Sequence, residues 1–206
     1  MTDFISQSYD YLARGGPVML PIVLSSMIAL TLIIERWRAL SRKKIFPESF
    51  INEIHSLLDK GQIEAMWSLS KTHESPIARI LADSLDVTDP QQMEEKMQQS
   101  GRKQAVVLEK NLEFLGVIAS IAPLLGLLGT VTGMIQTFDV IKVIGVGDPL
   151  KLSGGIAEAL LNTAGGLIVA IPAFVFQRLY YRRVENYVME MEDFIQSVWM
   201  NCKKYL

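Results

Sequence analysis

The chain has 206 residues, of which half are hydrophobic and only 20% are charged, and its formal net charge is −2. This length fits one domain or a small membrane protein. No basic block outside the predicted membrane flanks indicates nucleic-acid binding. The single cysteine, Cys202, excludes an internal disulfide and a metal site built from several thiolates.

Three stretches of the chain are almost free of charge. Residues 15–34 and 114–138 contain no charged residue, and Glu158 is the only charged residue in 152–177. Each stretch meets the requirement of about 20 residues for a helix that crosses about 30 Å of hydrocarbon. The first stretch has no basic segment before it and is too long for a signal-peptide core, so it is expected to be retained. The sequence therefore predicts an all-α membrane protein with three transmembrane helices.

These stretches divide the chain into seven predicted segments, oriented by their flanking charges. The segments are an outer N-terminal segment (1–16), a first transmembrane helix (17–37), a cytoplasmic helical region (38–111), a second transmembrane helix (112–138), an outer loop (139–153), a third transmembrane helix (154–178) and a cytoplasmic C-terminal helix (179–206). Lysines and arginines cluster after the first span, before the second and after the third. The positive-inside rule therefore predicts an outer N-terminus and a cytoplasmic C-terminus.

The cytoplasmic region carries signals for several helices. Gly61 is a plausible helix stop, and Ser75-Pro76 and Asp89-Pro90 each combine an N-cap residue with proline at the first helical position. No strong helix breaker separates Pro90 from the outer end of the second span near Phe138. One continuous helix is therefore expected there, so that helical extensions project far into the cytoplasm.

The second span carries a stripe of small and hydroxyl-bearing residues. Pro123, Gly126, Thr130, Gly133 and Thr137 recur at alternating spacings of three and four, which places them on one side of a helix. Such a stripe serves either close helix packing or the lining of a lumen. Packing is the favoured interpretation for the glycines, and for Thr130 both interpretations stay open. The predicted packing positions are Pro123, Gly126, Gly129, Gly133, Gly165 and Gly166.

The third span contains Glu158, the only carboxylate in the three charge-poor stretches 15–34, 114–138 and 152–177. Glu158 and Asn162 are four residues apart and share a side of the helix, whereas Thr163 points about 140° away from Glu158. An unpaired charge in hydrocarbon costs about 2.5–3.5 kcal/mol. Glu158 is therefore expected to face a polar cavity, to pair with a cation or to be protonated. The alternative is an interfacial glutamate that reaches for water near the outer end.

Thr130 and Thr163 are expected at the same depth, slightly to the outer side of the bilayer middle, because their helices run in opposite directions. In a symmetric oligomer they could form a polar ring. The charge-poor stretches of the spans contain no aspartate, lysine, arginine or histidine, so Glu158 is the only side chain in them that titrates. The residues thus predict the wall of a channel whose central proton carrier comes from another chain.

Two motifs in these spans are similar to a known family. Residues 122–134 (APLLGLLGTVTGM) and 155–167 (GIAEALLNTAGGL) resemble the MotA/TolQ/ExbB proton-channel family. The opening GGPVM at 15–19 and the Ile34-Glu35-Arg36 end of the first span look like ExbB. Three spans also match ExbB and TolQ, whereas MotA relatives have four.

The resemblance implies a homopentameric ring in the bacterial inner membrane around a dimer of an ExbD- or TolR-like protein. That partner has one transmembrane helix with an essential aspartate. Inward proton movement is expected to drive rotation, and the work passes to an energy transducer such as TonB. Thr130 and Thr163 correspond to the pore-facing threonines and Glu158 to the glutamate of the third span. Asn162 stands where the family is expected to have a small apolar residue, so the sequence departs from the family pattern there. The predicted proton pathway comprises Thr130, Thr163, Glu158, Asn162 and Thr137.

Other functions remain as alternatives. A TolQ-like subunit for outer-membrane integrity, a gliding or secretion motor and a non-conducting scaffold for a partner helix all fit these features. A self-sufficient channel is disfavoured because no central titratable group is present. The sequence shows no phosphate loop, no Ser/His/Asp set and no metal-ligand cluster, so neither an enzyme nor a bound cofactor is expected. His55 and His73 are expected at the surface, and Cys202 as a reduced thiol without a role.

Overall fold

The computed structural model describes residues 15–84, 89–145 and 149–202, and within these ranges the regular structure is entirely α-helical. The helices are α1 (Gly16–Ala39), α2 (Arg42–Ile45), α3 (Glu48–Asp59), α4 (Ile63–Thr72), α5 (Pro76–Ser84), α6 (Pro90–Glu109), α7 (Leu112–Ile144) and α8 (Pro149–Cys202). Most of the predicted outer N-terminal segment, the tip of the predicted outer loop and the last four residues lie outside the described ranges.

Three described helical stretches are long and apolar enough to cross a membrane. They contain α1, the apolar part of α7 and the apolar part of α8. Their large apolar side chains are widely exposed, as expected for surfaces that meet lipid or other chains. This arrangement confirms the predicted fold class, an all-α protein with three spans.

The expectation of one helix from Pro90 to Phe138 is wrong. The helix ends at Glu109, Asn111 adopts a left-handed conformation with φ of 66°, and α7 begins at Leu112. Asparagine tolerates this conformation better than most residues, so the chain turns here without glycine or proline. At the other end α7 continues to Ile144, so part of the predicted outer loop is helical.

The helices divide into two compact units. The first unit comprises the described parts of Met1–Ile34 and Asn111–Arg178. In it, α1 and α8 run in the same direction, because Gly16 lies against Glu158 and Met19 lies against Gly165. Helix α7 runs antiparallel to α8, since Ala122 contacts Gly166 and Gly133 contacts Gly155.

The second unit comprises Glu35–Lys110 and the described part of Leu179–Leu206. Its core is formed by the apolar sides of α3, α5 and α6 and by the C-terminal part of α8. The phenol of Tyr187 donates a hydrogen bond to the Leu40 carbonyl at 3.1 Å, and its ring lies 6.0 Å from that of Phe46. Buried cores of this kind stabilise helices that would be marginal alone.

Several predicted helix ends are confirmed in this second unit. Gly61 has φ of 67° just after α3. The Asp89 carboxylate accepts a hydrogen bond from the Gln91 backbone N–H at the start of α6. The Ala78 backbone N–H donates to the Ser75 hydroxyl at 3.4 Å at the start of α5. Each contact satisfies a backbone or capping requirement that the sequence had indicated.

Candidate functional site in the membrane spans

A seam of small residues joins α7 to α8. A methyl group added to Gly126 would lie 2.9 Å from the Asn162 carbonyl oxygen and 3.0 Å from the Thr163 Cα. A methyl group on Gly166 would lie 2.5 Å from the Ala122 carbonyl oxygen. Because these neighbours are backbone atoms, they cannot move aside independently. The glycines therefore permit a backbone approach typical of helix packing in membranes.

The seam continues toward the C-terminal end of α7. A methyl group on Gly133 would lie 3.1 Å from the Gly155 carbonyl oxygen and 3.2 Å from the Ala159 Cβ. Thr137 is buried, donates to the Gly133 carbonyl at 2.9 Å and lies against Gly155. Within the single chain, Thr137 is therefore enclosed by the seam, although the sequence placed it among the lumen-lining residues.

Thr130 and Thr163 lie close to each other in depth and are both half-buried. The Thr163 hydroxyl donates across the seam to the Gly126 carbonyl at 3.4 Å. The Thr130 hydroxyl donates to the Leu127 carbonyl of its own helix at 2.6 Å. Gly126 and Thr130 are one helical turn apart, about 6 Å along the axis. The two hydroxyls thus lie within about one turn of each other in depth.

Asn162 is the most enclosed polar side chain of the predicted pathway, with only 1% of its surface exposed. Neither its side-chain oxygen nor its nitrogen has a hydrogen-bond partner among the described residues. A methyl group on Gly129 would lie 2.6 Å from its Cγ and 2.7 Å from its Nδ2, so Gly129 is the residue that makes room for it. A buried amide without partners costs about 1–3 kcal/mol.

Glu158 is half-buried on α8, and its carboxylate lies against Gly16, the first residue of α1. The first turn of a helix exposes unpaired N–H groups and carries a partial positive charge, which favours a nearby carboxylate. Gly16 also has φ of 64°, a conformation that glycine adopts without strain. The GGPVM opening at 15–19 carried no sequence signal of a contact with Glu158.

The remaining packing positions face different neighbours. Gly165 faces α1, where a methyl group would lie 3.3 Å from the Met19 sulfur. Pro123 is half-buried inside α7, and Gly129 is buried. The Gln177 amide lies against Gly116, a contact that the sequence analysis missed. Its only sequence signal was a polar residue at the end of an otherwise apolar span.

The described residues contain no group of three or more His, Cys, Asp or Glu side chains that could hold a metal ion. The five predicted pathway residues supply three threonine hydroxyls, one amide and one carboxylate. Hydroxyls and an amide can relay or orient a proton through hydrogen bonds. Among these groups, only the Glu158 carboxylate is ionisable.

Comparison with known proteins identifies the kind of membrane protein. A sequence profile of the MotA/TolQ/ExbB proton channel family matches residues 72–193, which include the whole α7–α8 seam. The chain belongs to this family. It is thus a proton-channel-type, ExbB/TolQ-like membrane subunit.

Two relatives within the MotA/TolQ/ExbB family match over most of the chain, and a third matches a shorter part of it. ExbB-like 1 of Synechocystis is 30% identical over 194 residues, covering 92% of this chain and 75% of that protein. The Tol-Pal system protein TolQ of Pseudomonas aeruginosa is 26% identical over 181 residues, covering 82% and 78%. The biopolymer transport protein ExbB of Aquifex aeolicus is 40% identical over 85 residues, covering 41% and 57%.

Proposed function

We propose that this chain is the channel and stator subunit of an inner-membrane motor driven by the proton motive force. It works with an ExbD- or TolR-like partner and transmits force to an envelope-spanning, TonB-like transducer. In this proposal the partner's intramembrane aspartate carries the proton. The chain itself forms a homopentameric ring, with its N-terminus in the periplasm and its C-terminus in the cytoplasm.

The proximity of Thr163 and Thr130 at one depth is the observation that supports this proposal best. Both hydroxyls are half-buried in the single chain, so each keeps a surface on which a partner helix could pack. Their present bonds go to carbonyl oxygens and use the hydroxyl as a donor. Each oxygen keeps lone pairs that could accept a hydrogen bond from a carboxylic acid or from water.

Glu158 has a separate role in this proposal. Its carboxylate lies at the start of α1, near the end of the spans that we assign to the periplasm. A negative charge there would raise the local proton concentration at the entrance of the path. Asn162 and Thr137 lie within the seam, so we assign them to orienting α7 and α8 rather than to direct contact with the partner.

Proton uptake into liposomes tests this function. The chain is reconstituted alone, with its single-span partner, and with a partner whose aspartate is replaced by asparagine. We expect flux only with the chain and the intact partner together. Flux from the chain alone would contradict the shared channel. Absence of flux in all three preparations, even with the transducer added, would favour a non-conducting scaffold.

A TolQ-like role in outer-membrane integrity is the second candidate, because TolQ of Pseudomonas aeruginosa matches 82% of the chain. Deletion of the gene separates the two roles. Loss of transducer-dependent nutrient uptake with an intact envelope supports the TonB-like system. Detergent sensitivity and release of periplasmic proteins, with uptake preserved, support the TolQ-like role. If the chain instead serves gliding or secretion, deletion of the gene would leave both nutrient uptake and envelope integrity unchanged.

A further inference from the structure

A polar cavity of about 760 Å³ lies within the second unit. It is lined by the end of α4 and by one side each of α5 and α6. Its volume falls in the range of pockets that hold small molecules, about 300–1,000 Å³.

The lining of this cavity is strongly basic. Its charged members are the cations Lys71, Arg79, Lys96 and Lys103 and the carboxylates Glu74 and Asp83. Four cations against two carboxylates leave an excess of two positive charges, although the whole chain has a net charge of −2. The excess is therefore local to the cavity.

The cations are not neutralised within the protein. None of the four forms a salt bridge with an acidic residue that the structure describes. The Asp83 carboxylate instead accepts a hydrogen bond from the Ser100 hydroxyl at 2.7 Å. Lys71 lies over the ring of Trp67, with its nitrogen 3.5 Å from the ring centroid. Such an arrangement leaves the positive charge available to an anion.

Lys96 and Lys103 are seven residues apart on α6, so both project from the same side of that helix. Ser100, which lies between the two lysines in the chain, is buried at 2% exposure. Gln104, which follows Lys103, is buried at 9% exposure, and both residues line the cavity. The wall thus combines exposed ammonium groups with buried polar groups. Lysine ammonium groups bind phosphate as point charges, and hydroxyl and amide groups orient the rest of a ligand.

We propose that this cavity is a binding site for a small phosphate-bearing anion, with Lys96 and Lys103 as the main phosphate contacts. The site is independent of the proton path, since all its residues lie in the second unit. Phosphate groups occur in soluble metabolites and in lipid headgroups. Both sources present the same phosphate group to the lysines, and titrations with a soluble probe and a lipid probe distinguish them.

Isothermal titration of the purified full-length chain in detergent tests the site, with sodium pyrophosphate as the soluble probe at low ionic strength. We expect saturable binding that weakens about tenfold or more in the double variant Lys96→Gln/Lys103→Gln. Both lysines are exposed, so the variant should keep its helical circular dichroism. Arg79→Gln provides a second variant on a different helix, for which we expect a smaller loss.

The matched control is Lys43→Gln/Lys60→Gln, which removes the same charge from exposed positions outside the cavity. Binding of pyrophosphate by the control should change less than about twofold, apart from ordinary screening. An equal loss in both double variants would overturn the proposal, because it would indicate only general electrostatic attraction. Absence of binding by the unmodified chain would also overturn it.

A second titration uses short-chain phosphatidylglycerol as the probe. If it binds more tightly than pyrophosphate and depends on the same two lysines, the site stands and its ligand is a lipid headgroup. If pyrophosphate binds more tightly, the ligand is a soluble phosphate compound. Because proton flux is not measured here, failure of this proposal and failure of the proposed function are separate results.

Discussion

The side chain of Asn162 is enclosed by Gly129 of the neighbouring helix: a methyl group at Gly129 would lie only 2.7 Å from the Asn162 Nδ2. The amide has no partner among the described residues, although it lies inside an apolar span. The two residues thus combine tight packing with an unsatisfied polar group. This pairing leads to two predictions about the stability of the seam.

Replacing Gly129 with alanine should destabilise the chain by about 1–3 kcal/mol, because the added methyl group overpacks the seam. Thermal unfolding in detergent measures the change. The matched control is Gly154→Ala on α8, where the added methyl group has no atom within 4 Å. Alanine is a better helix former than glycine, so the control should be neutral or more stable. Equal destabilisation by both variants would contradict the close packing of α7 against α8 at Gly129.

Replacing Asn162 with leucine should raise the stability by about 1–3 kcal/mol, because it removes a buried amide that lacks partners. The control is Gln136→Leu, which changes an exposed amide on α7 and should have little effect in detergent. Urea unfolding of both variants checks this. A less stable Asn162→Leu variant would indicate that the amide acquires a partner in the assembled protein.

Replacing Thr130 with valine should abolish proton-coupled work while leaving unfolding nearly unchanged. Its hydroxyl bonds only to the Leu127 carbonyl of its own helix, so the stability change should stay within about 1 kcal/mol. Thr132→Val is the matched control, since that hydroxyl also bonds to its own helix, at the Leu128 carbonyl. Proton uptake with the partner should fall only for Thr130→Val. Equal flux in both variants would remove Thr130 from the path.

Cys202 should resist alkylation in the folded protein. It is fully buried, and burial raises the pKa of its thiol above the usual value because the thiolate is poorly solvated there. Iodoacetamide at pH 8 should therefore react slowly with the native chain and quickly after denaturation. Fast reaction of the native chain would show that the Cys202 thiol is accessible rather than buried.

The same raised pKa of Cys202 gives a pH dependence with a definite sign. The folded state favours the protonated thiol, so this stabilisation is complete below the unfolded pKa and is lost as the pH rises through the folded pKa. Stability should therefore decrease above about pH 9 more in the unmodified chain than in Cys202→Ala. Urea unfolding between pH 7 and pH 10 measures this difference. Parallel curves for the two proteins would contradict it.

Much of the architecture follows from the sequence alone. Twenty or more residues without charge can be stable only in lipid or in a large core, so the three spans follow from composition. The ends of α3, α5 and α6 follow from local chemistry, because Gly61, Ser75 and Asp89 act on backbone groups next to them in the chain.

The tertiary structure alone decided which neighbour each polar side chain meets. Helical periodicity gives the direction in which Asn162, Glu158 and Thr137 point, but it does not say which helix covers that side. In the structure Asn162 meets Gly129, whereas Glu158 meets the start of α1. The break at Asn111 likewise escaped the sequence analysis, because its left-handed conformation lacks the usual glycine. Side-chain environments depend on contacts between distant segments, and these form only when the helices pack.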